Sequence, residues 1–233
     1  MMPRTLRVGG ITPFTATDYP GQLAAVVFVQ GCPWRCGYCH NPHLQQRHSG
    51  ALDWDSVIAF LRRRVGLIDA VVFSGGEPTI DPCLELAIAD VRALGFKVGL
   101  HTAGIYPARL SQVLPTLDWV GFDIKAPATH YESVTGVAGS GAAAFACAAL
   151  VIDSGIAHEC RTTVHSALLT DAQLLELATT LSGMGVRHYA VQLFRPTGCA
   201  DAALALACSG VPAAATLDAI GALFPTFTVR GPD

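Results

Sequence analysis

The sequence predicts an α/β fold in which parallel strands are joined by helical crossovers. Two observations predict it: six short apolar segments alternate with stretches of helical period, and polar or thiol side chains follow nearly every apolar segment. Strands that alternate with helices are usually parallel, so the groups at their carboxyl ends are expected to share one mouth. A partial barrel and a doubly wound open sheet both give this alternation, and periodicity does not choose between them.

The apolar segments predict strands, and the stretches between them predict helices. The strand at 24–29 is followed by the first helix, which begins at Asp53, a suitable N-cap, and extends its apolar period to Val65. The continuous apolar run at 70–73 is typical of a strand buried on both faces. The remaining strands are expected at 97–101, 119–124, 158–164 and 188–193, and the remaining helices at 81–94, 106–114, 141–154 and 171–182.

The length and composition fit one domain with a short C-terminal extension. The 233 residues are 51% hydrophobic and 14% charged, which supplies enough apolar side chains for a sizeable core. The core is expected at about residues 20–195. The tail, 196–233, adds one predicted helix at 213–223 and one strand at 226–229. We therefore expect a single domain over residues 1–233.

Charge and hydropathy argue against two classes of partner. A net charge of −3 gives no general attraction to phosphate backbones, and the arginines at 62–64 fall in a helical pattern, where a solvated face is expected. The amino terminus lacks the apolar core of a signal peptide, and the longest apolar run, 142–152, is too short to span a bilayer. We expect a soluble cytoplasmic protein with neither a nucleic-acid nor a membrane partner.

Three of the eight cysteines, Cys32, Cys36 and Cys39, lie within eight residues of loop sequence. Thiolates at this spacing can surround one corner of a cubane iron–sulfur cluster and leave one iron without a protein ligand. His40 or His43 would instead complete a Cys3His zinc site, and unligated thiols are a third interpretation. Disulfides are disfavoured in so short a loop and in a reducing compartment. The spacing alone leaves the cluster, zinc and free thiols open.

The cysteine loop and its flanks resemble the radical S-adenosylmethionine (SAM) superfamily. The resemblance rests on Cys-x3-Cys-x2-Cys after a first strand, with Tyr38 just before the third cysteine. Asp-Tyr-Pro-Gly at 18–21, Phe-Val-Gln-Gly at 28–31 and Tyr-Cys-His-Asn-Pro at 38–42 make the chain similar to glycyl-radical-enzyme activases, especially the activating proteins of anaerobic ribonucleoside-triphosphate reductase. The resemblance covers residues 8–195. It implies an α/β fold built as a partial (β/α)6 TIM-like barrel of the radical SAM type.

The resemblance also implies a site for a [4Fe–4S] cluster held by the three cysteines, with SAM beside it. Backbone at a Gly-Gly-Glu motif would approach the amino group of SAM, which glycines permit, and a lysine would contact its carboxylate. Without the resemblance, the glycine pair would be an ordinary turn and the charged strand ends ordinary ion pairs. The residues expected to bind SAM are Tyr38, Gly75, Gly76, Glu77, Thr102, Asp123, Lys125 and Arg161.

Two positions depart from the pattern of the formate-lyase activases. His101 begins a His-Thr-Ala-Gly sequence where those proteins have Asp-Thr-Asn-Gly, and Arg195 stands where they have a histidine. An imidazole cannot reproduce two carboxylate oxygens, so SAM contacts by His101 and Arg195 are left open. The roles of Cys199 and Cys208 are also open, with a second cluster, zinc and buried thiols as alternatives.

The implied activity is that of an anaerobic radical SAM oxidoreductase. Electron transfer through the cluster would split SAM into methionine and a 5′-deoxyadenosyl radical, which would take hydrogen from a backbone glycine of a glycyl radical enzyme. The implied partner is anaerobic ribonucleoside-triphosphate reductase, with a flavodoxin or ferredoxin as electron donor. The alternatives are a small-molecule enzyme similar to 7-carboxy-7-deazaguanine synthase and a non-catalytic metal-binding protein.

Overall fold

The computed structural model describes residues 5–48, 51–199, 201–207 and 210–231. One sheet of eight strands forms its centre. The first strand is antiparallel to the second, and each later strand is parallel to the one before it. The strands are β1 (Val8–Thr15), β2 (Ala24–Val29), β3 (Ala70–Gly75), β4 (Lys97–Thr102), β5 (Trp119–Asp123), β6 (His158–Val164), β7 (His188–Leu193) and β8 (Thr226–Arg230).

The order of the strands decides between the two predicted architectures. A doubly wound sheet reverses its strand order at a switch point, whereas here the order is β1 to β8 without reversal. Within the part of the chain that the structure describes, β1 and β8 do not pair, so the barrel stays open along that edge. The predicted partial barrel is confirmed. The six predicted strands are β2 to β7, and the tail strand is β8.

β1 is the strand that the sequence pattern did not predict. It contains Gly9, Gly10 and Pro13, residues that are depleted in strands. Proline is tolerated only where its missing N–H costs no ladder bond, as on an edge strand. β1 is such an edge, and its register with β2 shifts between Thr12 and Thr15, on either side of Pro13.

The helices follow the predicted alternation with small shifts at their ends. Asp53 caps the first helix as predicted, its carboxylate accepting from the Ser56 amide at 2.9 Å, but Val65 lies beyond the helix end and is exposed. No helix among the described residues is long and apolar enough to cross a bilayer alone, although a bent pair, Ala128–Thr135 with Ser140–Asp153, passes that test together. The helices are α1 (Trp54–Arg62), α2 (Leu84–Ala93), α3 (Pro107–Val113), α4 (Tyr131–Thr135), α5 (Ser140–Asp153), α6 (Asp171–Gly183), α7 (Ala202–Leu206) and α8 (Ala214–Gly221).

Alternation along each strand divides the core into two parts. In β3, Val71 and Phe73 belong to the large apolar cluster that includes buried helix residues, while Ala70 and Val72 belong to a second, small cluster. The second cluster contains Trp119 and Tyr19, whose rings stack with centroids 5.1 Å apart. Trp119 begins β5 and Ala70 begins β3, so this cluster fills the barrel near the amino ends of the strands and closes that end.

Candidate active site

A cavity of about 910 Å³ opens at the carboxyl ends of the parallel strands. Its walls come from the cysteine loop after β2, from the ends of β3 to β8 and from the segment before β2. Every residue predicted to bind the cluster or SAM lines this cavity except Glu77. The expectation that the strand ends share one mouth is therefore confirmed, while the cofactor contact made by each residue stays a prediction.

The cysteine loop is held in place by hydrogen bonds from its own backbone. The Cys32 amide donates to the carbonyl oxygen of Gln45, and the Cys39 amide donates to that of Cys36, both at 3.1 Å. The Arg35 guanidinium donates to the carbonyl oxygen of Cys32 at 2.7 Å. These bonds fix the loop that carries the three thiols along the cavity wall.

The three thiols are chemically suited to a cluster. Cys32, Cys36 and Cys39 are partly buried and not joined in disulfides. Burial raises the pKa of Cys32 to about 12 and also raises that of Cys36, so iron must displace protons from both when it binds. Among the described residues, no three His, Cys, Asp or Glu side chains converge as a single metal ion requires. In a cubane each thiolate binds a different iron, and three partly buried thiols that line one cavity supply such a donor set.

Gly75 and Gly76 are positions where another part of the backbone leaves no room for a side chain. Gly75 has a φ of 121°, and a Cβ there would lie 2.5 Å from the amide nitrogen and from the carbonyl oxygen of Val29. A Cβ on Gly76 would collide with the carbonyl oxygen of Gly31. The end of β3 is therefore pressed against the residues that precede Cys32.

Glu77 is wholly buried, and its carboxylate is satisfied within the protein. Oε1 accepts from the amide and hydroxyl of Thr79 (3.1 and 2.6 Å) and from the Thr102 hydroxyl (2.7 Å), and Oε2 accepts from the Ala103 amide (2.9 Å). The Thr102 hydroxyl oxygen accepts from the Gly104 amide, so the hydroxyl proton of Thr102 is left to donate to Glu77. Burial raises the pKa of Glu77, while these four donors favour the carboxylate. Glu77 thus ties the end of β3 to the end of β4 from behind the cavity wall, where its backbone N–H also donates to the carbonyl oxygen of Gly31.

Asp123 and Lys125 lie at the end of β5, as the alternation predicted. The Lys125 Nζ is 3.7 Å from the Asp123 Oδ2 and 5.4 Å from the centre of the Tyr38 ring. Burial acts to lower the pKa of Lys125, but Tyr38, Asp123 and Cys36 outweigh it and raise that pKa well above its ordinary value. The ammonium therefore stays charged between the cysteine loop and β5.

Arg161 and His101 meet deeper in the barrel. The Arg161 Nη1 lies 3.2 Å from the His101 Nε2, which is also 2.8 Å from the carbonyl oxygen of Asp18. Burial, reinforced by the Arg161 charge, holds the pKa of His101 well below its ordinary value, so the imidazole is neutral. The Arg161 guanidinium also lies over the Trp119 ring, 5.0 Å from its centre.

Glu159 and Arg230 complete this group, and neither was predicted from the sequence. The Glu159 carboxylate accepts from the Arg161 Nε at 2.8 Å and from both terminal nitrogens of Arg230 at 2.9 and 2.7 Å. Glu159 lies two residues before Arg161 on β6, and side chains two residues apart on a strand share a face. The strand pattern could therefore have predicted that Glu159 and Arg161 lie side by side. Arg230 lies one residue past the predicted tail strand, and nothing in its spacing indicated that it reaches the barrel interior.

The segment after β7 covers part of the cysteine loop. His40 Nε2 lies 2.9 Å from the carbonyl oxygen of Arg195, and the Cys199 thiol lies 3.5 Å from that of Gly37. Arg195 lines the cavity, so it remains a candidate for a SAM contact. Cys208, the other tail cysteine considered above, lies outside the described residues.

Comparisons with known proteins agree with this geometry. The radical SAM superfamily profile matches residues 26–182. A protein of Methanocaldococcus jannaschii named as a putative glycyl-radical enzyme activating enzyme is 28% identical over 204 residues, which is 83% of this chain and 82% of that protein. The pyruvate formate-lyase-activating enzyme of Clostridium pasteurianum is 32% identical over 137 residues, 56% of this chain and 57% of that protein.

Solved structures share the fold at low sequence identity. Streptococcus suis SuiB bound to its precursor peptide SuiA superposes with a TM-score of 0.67 at 16% identity, over 88% of this chain, which spans only 48% of SuiB. A methyltransferase from Sphaerobacter thermophilus superposes with a TM-score of 0.64 at 16% identity, covering 94% of this chain and 68% of that protein.

Proposed function

The chain belongs to the radical SAM superfamily and is a radical SAM enzyme, and from this premise we propose that it activates a glycyl radical enzyme. The observation that carries the proposal is the three-cysteine loop at the mouth of an open barrel, in a chain similar over most of its length to an activating enzyme of that class. Cys32, Cys36 and Cys39 would hold the [4Fe–4S] cluster that the family uses with SAM. When bound, the cluster and SAM together supply a one-electron reduction that splits SAM into methionine and a 5′-deoxyadenosyl radical.

The chain's own residues would bind and orient SAM beside the cluster. The Lys125 ammonium, which Asp123 holds in place, is suited to the SAM carboxylate, and the carbonyl oxygens of Gly75 and Gly76 are suited to its ammonium. Tyr38 would keep water from the cluster. Glu77 would act from behind the cavity wall, and Thr102, which lines the cavity, donates its hydroxyl to Glu77 and so fixes the ends of β3 and β4 together.

The partner we propose is anaerobic ribonucleoside-triphosphate reductase, with a flavodoxin or ferredoxin as the electron donor. Support for this partner is the resemblance at residues 18–21 and 38–42. One hydrogen atom would pass from a glycine Cα of the partner to C5′ of the radical, which breaks one C–H bond and forms another. The opening between β1 and β8 leaves lateral room for a segment of a macromolecule.

We further propose that the chain works as a single domain in the cytoplasm. One sheet takes strands from Val8 to Arg230, which supports one domain with its core and tail joined. The iron–sulfur cluster proposed for Cys32, Cys36 and Cys39 is best preserved in a reducing compartment, which supports the location.

The test is an anaerobic assay of the reconstituted protein. The cluster is loaded to four irons and reduced with dithionite, SAM is added, and 5′-deoxyadenosine is measured with and without the reductase. We expect product, and a glycyl radical signal by electron paramagnetic resonance when the reductase is present. Cys36→Ala is the control and should give neither. A four-iron protein that forms no 5′-deoxyadenosine would refute radical chemistry, and product without a radical on the reductase would refute this partner.

A further inference from the structure

The chain that follows β7 returns across the cysteine loop and packs tightly on its backbone. Residues 195–199 and 201–206 form this strap. At Gly37 of the loop, a Cβ would lie 3.0 Å from the Leu204 Cδ1 of α7. At Gly198 of the strap, where φ is 86°, a Cβ would lie 2.9 Å from the His40 carbonyl oxygen. Gly37 lies between the second and third cysteines, so Leu204 packs on the backbone that joins two of the three thiols.

Buried rings fix the strap at both of its ends. Where the strap begins, the Phe194 ring stacks on the His40 ring, with centroids 5.7 Å apart, and meets the edge of the His165 ring at 4.9 Å. The Nδ1 of His165 accepts from the Ala167 amide at 3.1 Å, so its Nε2 carries the proton and donates to the Leu204 carbonyl oxygen at 3.2 Å. One buried imidazole thus holds Leu204 in place.

The strap covers the side of the cysteine loop that faces away from the cavity. The three cysteines line the cavity, whereas Cys199 and Leu204 do not. Leu204 is only 9% exposed, and the Cys199 thiol is partly buried and donates to the Gly37 carbonyl oxygen. The loop therefore has an open cavity on one side and apolar packing on the other.

We propose that Leu204 is a positioning residue for the cluster. By packing on Gly37 it excludes water and oxidants from the outer side of the loop, and it thereby sets the lifetime and reduction potential of the cluster at Cys32, Cys36 and Cys39. Solvent exposure is one of the factors that set these potentials, and groups behind the ligands orient them. The inference rests on the cluster site of the proposed function and does not depend on the identity of the partner enzyme.

The first test uses the reduced, metal-free protein, so it needs no cluster. The folded protein is alkylated with iodoacetamide without oxygen, and the rate at each cysteine is followed by mass spectrometry of its peptides. Leu204→Ala removes the packing on Gly37. Leu206→Ala is the matched control, because it changes the same residue type in the same helix at a position that is 88% exposed. We expect Leu204→Ala to speed alkylation of Cys36 and Cys39 about tenfold, and Leu206→Ala to change it less than about twofold.

Three further comparisons decide whether the effect is local. Cys160 lies in β6 and is 1% exposed, so its alkylation reports opening of the whole domain and should stay unchanged. Leu204→Met keeps the bulk of the side chain and should restore the protection. Gly198→Ala pushes the strap away from the His40 carbonyl oxygen and should also speed alkylation, which tests the inference even if Leu204→Ala does not fold. Unchanged rates at Cys36 and Cys39, or equal acceleration at Cys160, would overturn the proposal.

The second test uses the cluster-loaded protein. The decay of the cluster's visible absorbance in air gives its lifetime, and a spectroelectrochemical titration gives its midpoint potential. Water stabilises the added negative charge of the reduced cluster. Leu204→Ala should therefore shorten the lifetime and shift the reduction equilibrium about tenfold toward the reduced form, which is about 59 mV for one electron. Leu206→Ala should change neither quantity. Failure of the wild-type protein to load iron would refute the cluster site and this inference with it. A loaded Leu204→Ala protein with unchanged lifetime and potential would refute the inference alone.

Discussion

Replacing Glu77 by glutamine tests whether this buried carboxylate holds the SAM-binding loops together. The amide of glutamine has the same shape but one oxygen fewer. Its oxygen can keep the three bonds that Oε1 now accepts from Thr79 and Thr102, but its NH2 then faces the Ala103 amide, 2.9 Å from the present Oε2. The glutamine NH2 and the Ala103 N–H, both hydrogen-bond donors, would thus face each other at a position that solvent does not reach.

The magnitude follows from those contacts. Loss of one charge-assisted bond and burial of an unpaired N–H at Ala103 cost about 3 to 5 kcal/mol together, and removing a buried charge returns part of this, so we expect a net loss of about 2 to 4 kcal/mol. Thr102→Val is the graded control. It removes one of three bonds to Oε1 and the acceptor of the buried Gly104 amide but leaves Oε2 paired, so it should cost about 2 kcal/mol.

The assay is anaerobic urea unfolding of the reduced, metal-free protein, followed by tryptophan fluorescence, with SAM affinity measured on the cluster-loaded protein. Glu77→Gln should also weaken SAM binding, because Gly75 and Gly76 precede Glu77 directly. A free energy of unfolding within about 0.5 kcal/mol of the wild type would refute the reasoning, since a loss that small is typical of surface substitutions.

Three further predictions concern separate parts of the site. Gly76→Ala should destabilise the protein by about 2 kcal/mol or more in the same unfolding assay, because the added Cβ collides with the Gly31 carbonyl oxygen, and a stable variant would show that β3 can shift. Arg230 and Arg161 outweigh burial and hold the pKa of Glu159 below 4.5, so its stabilisation is complete above about pH 4.5 and is lost as pH falls through the lower folded value. Glu159→Gln should therefore cost about 2 to 3 kcal/mol at pH 7 and progressively less below pH 4.5, and a pH-independent difference would contradict the assignment. Lys125→Met should weaken SAM binding at least tenfold while costing under about 1 kcal/mol of stability, because its partner carboxylate is 44% exposed; unchanged SAM affinity would rule out the carboxylate contact.

The sequence predicted the elements better than the side-chain contacts, for a physical reason. Apolar periodicity reports which face of a segment is buried, so it located the parallel strands β2 to β7 and the cap at Asp53. It failed at β1, where Gly9, Gly10 and Pro13 oppose strand propensity and only pairing with β2 keeps the segment extended. Pairing of this kind is a tertiary contact that local composition does not encode.

The side-chain contacts of the candidate site could not be predicted from local sequence patterns either. The Gly-Gly-Glu sequence indicated a cofactor loop, but spacing could not show that the Glu77 side chain turns inward to Thr79 and Thr102. Likewise, no local pattern connects Glu159 with Arg230, which lies 71 positions further along the chain. Those contacts exist only because the sheet curls and brings side chains of β6 and β8 together across β7.

This curvature gives the edge strand β8 a role in the site. β8 has no fully buried residue, so packing alone attaches it weakly to β7. Its side-chain contacts lie on both faces: the Phe227 ring stacks 6.1 Å from that of Tyr189 in the helix-side core, and Arg230 makes its two-bond pair with Glu159 on the barrel side. The same Glu159 accepts from Arg161, so one carboxylate links the edge strand β8 to a cavity-lining arginine of β6. A segment entering between β1 and β8 would therefore meet a strand whose placement depends on a charged group inside the barrel.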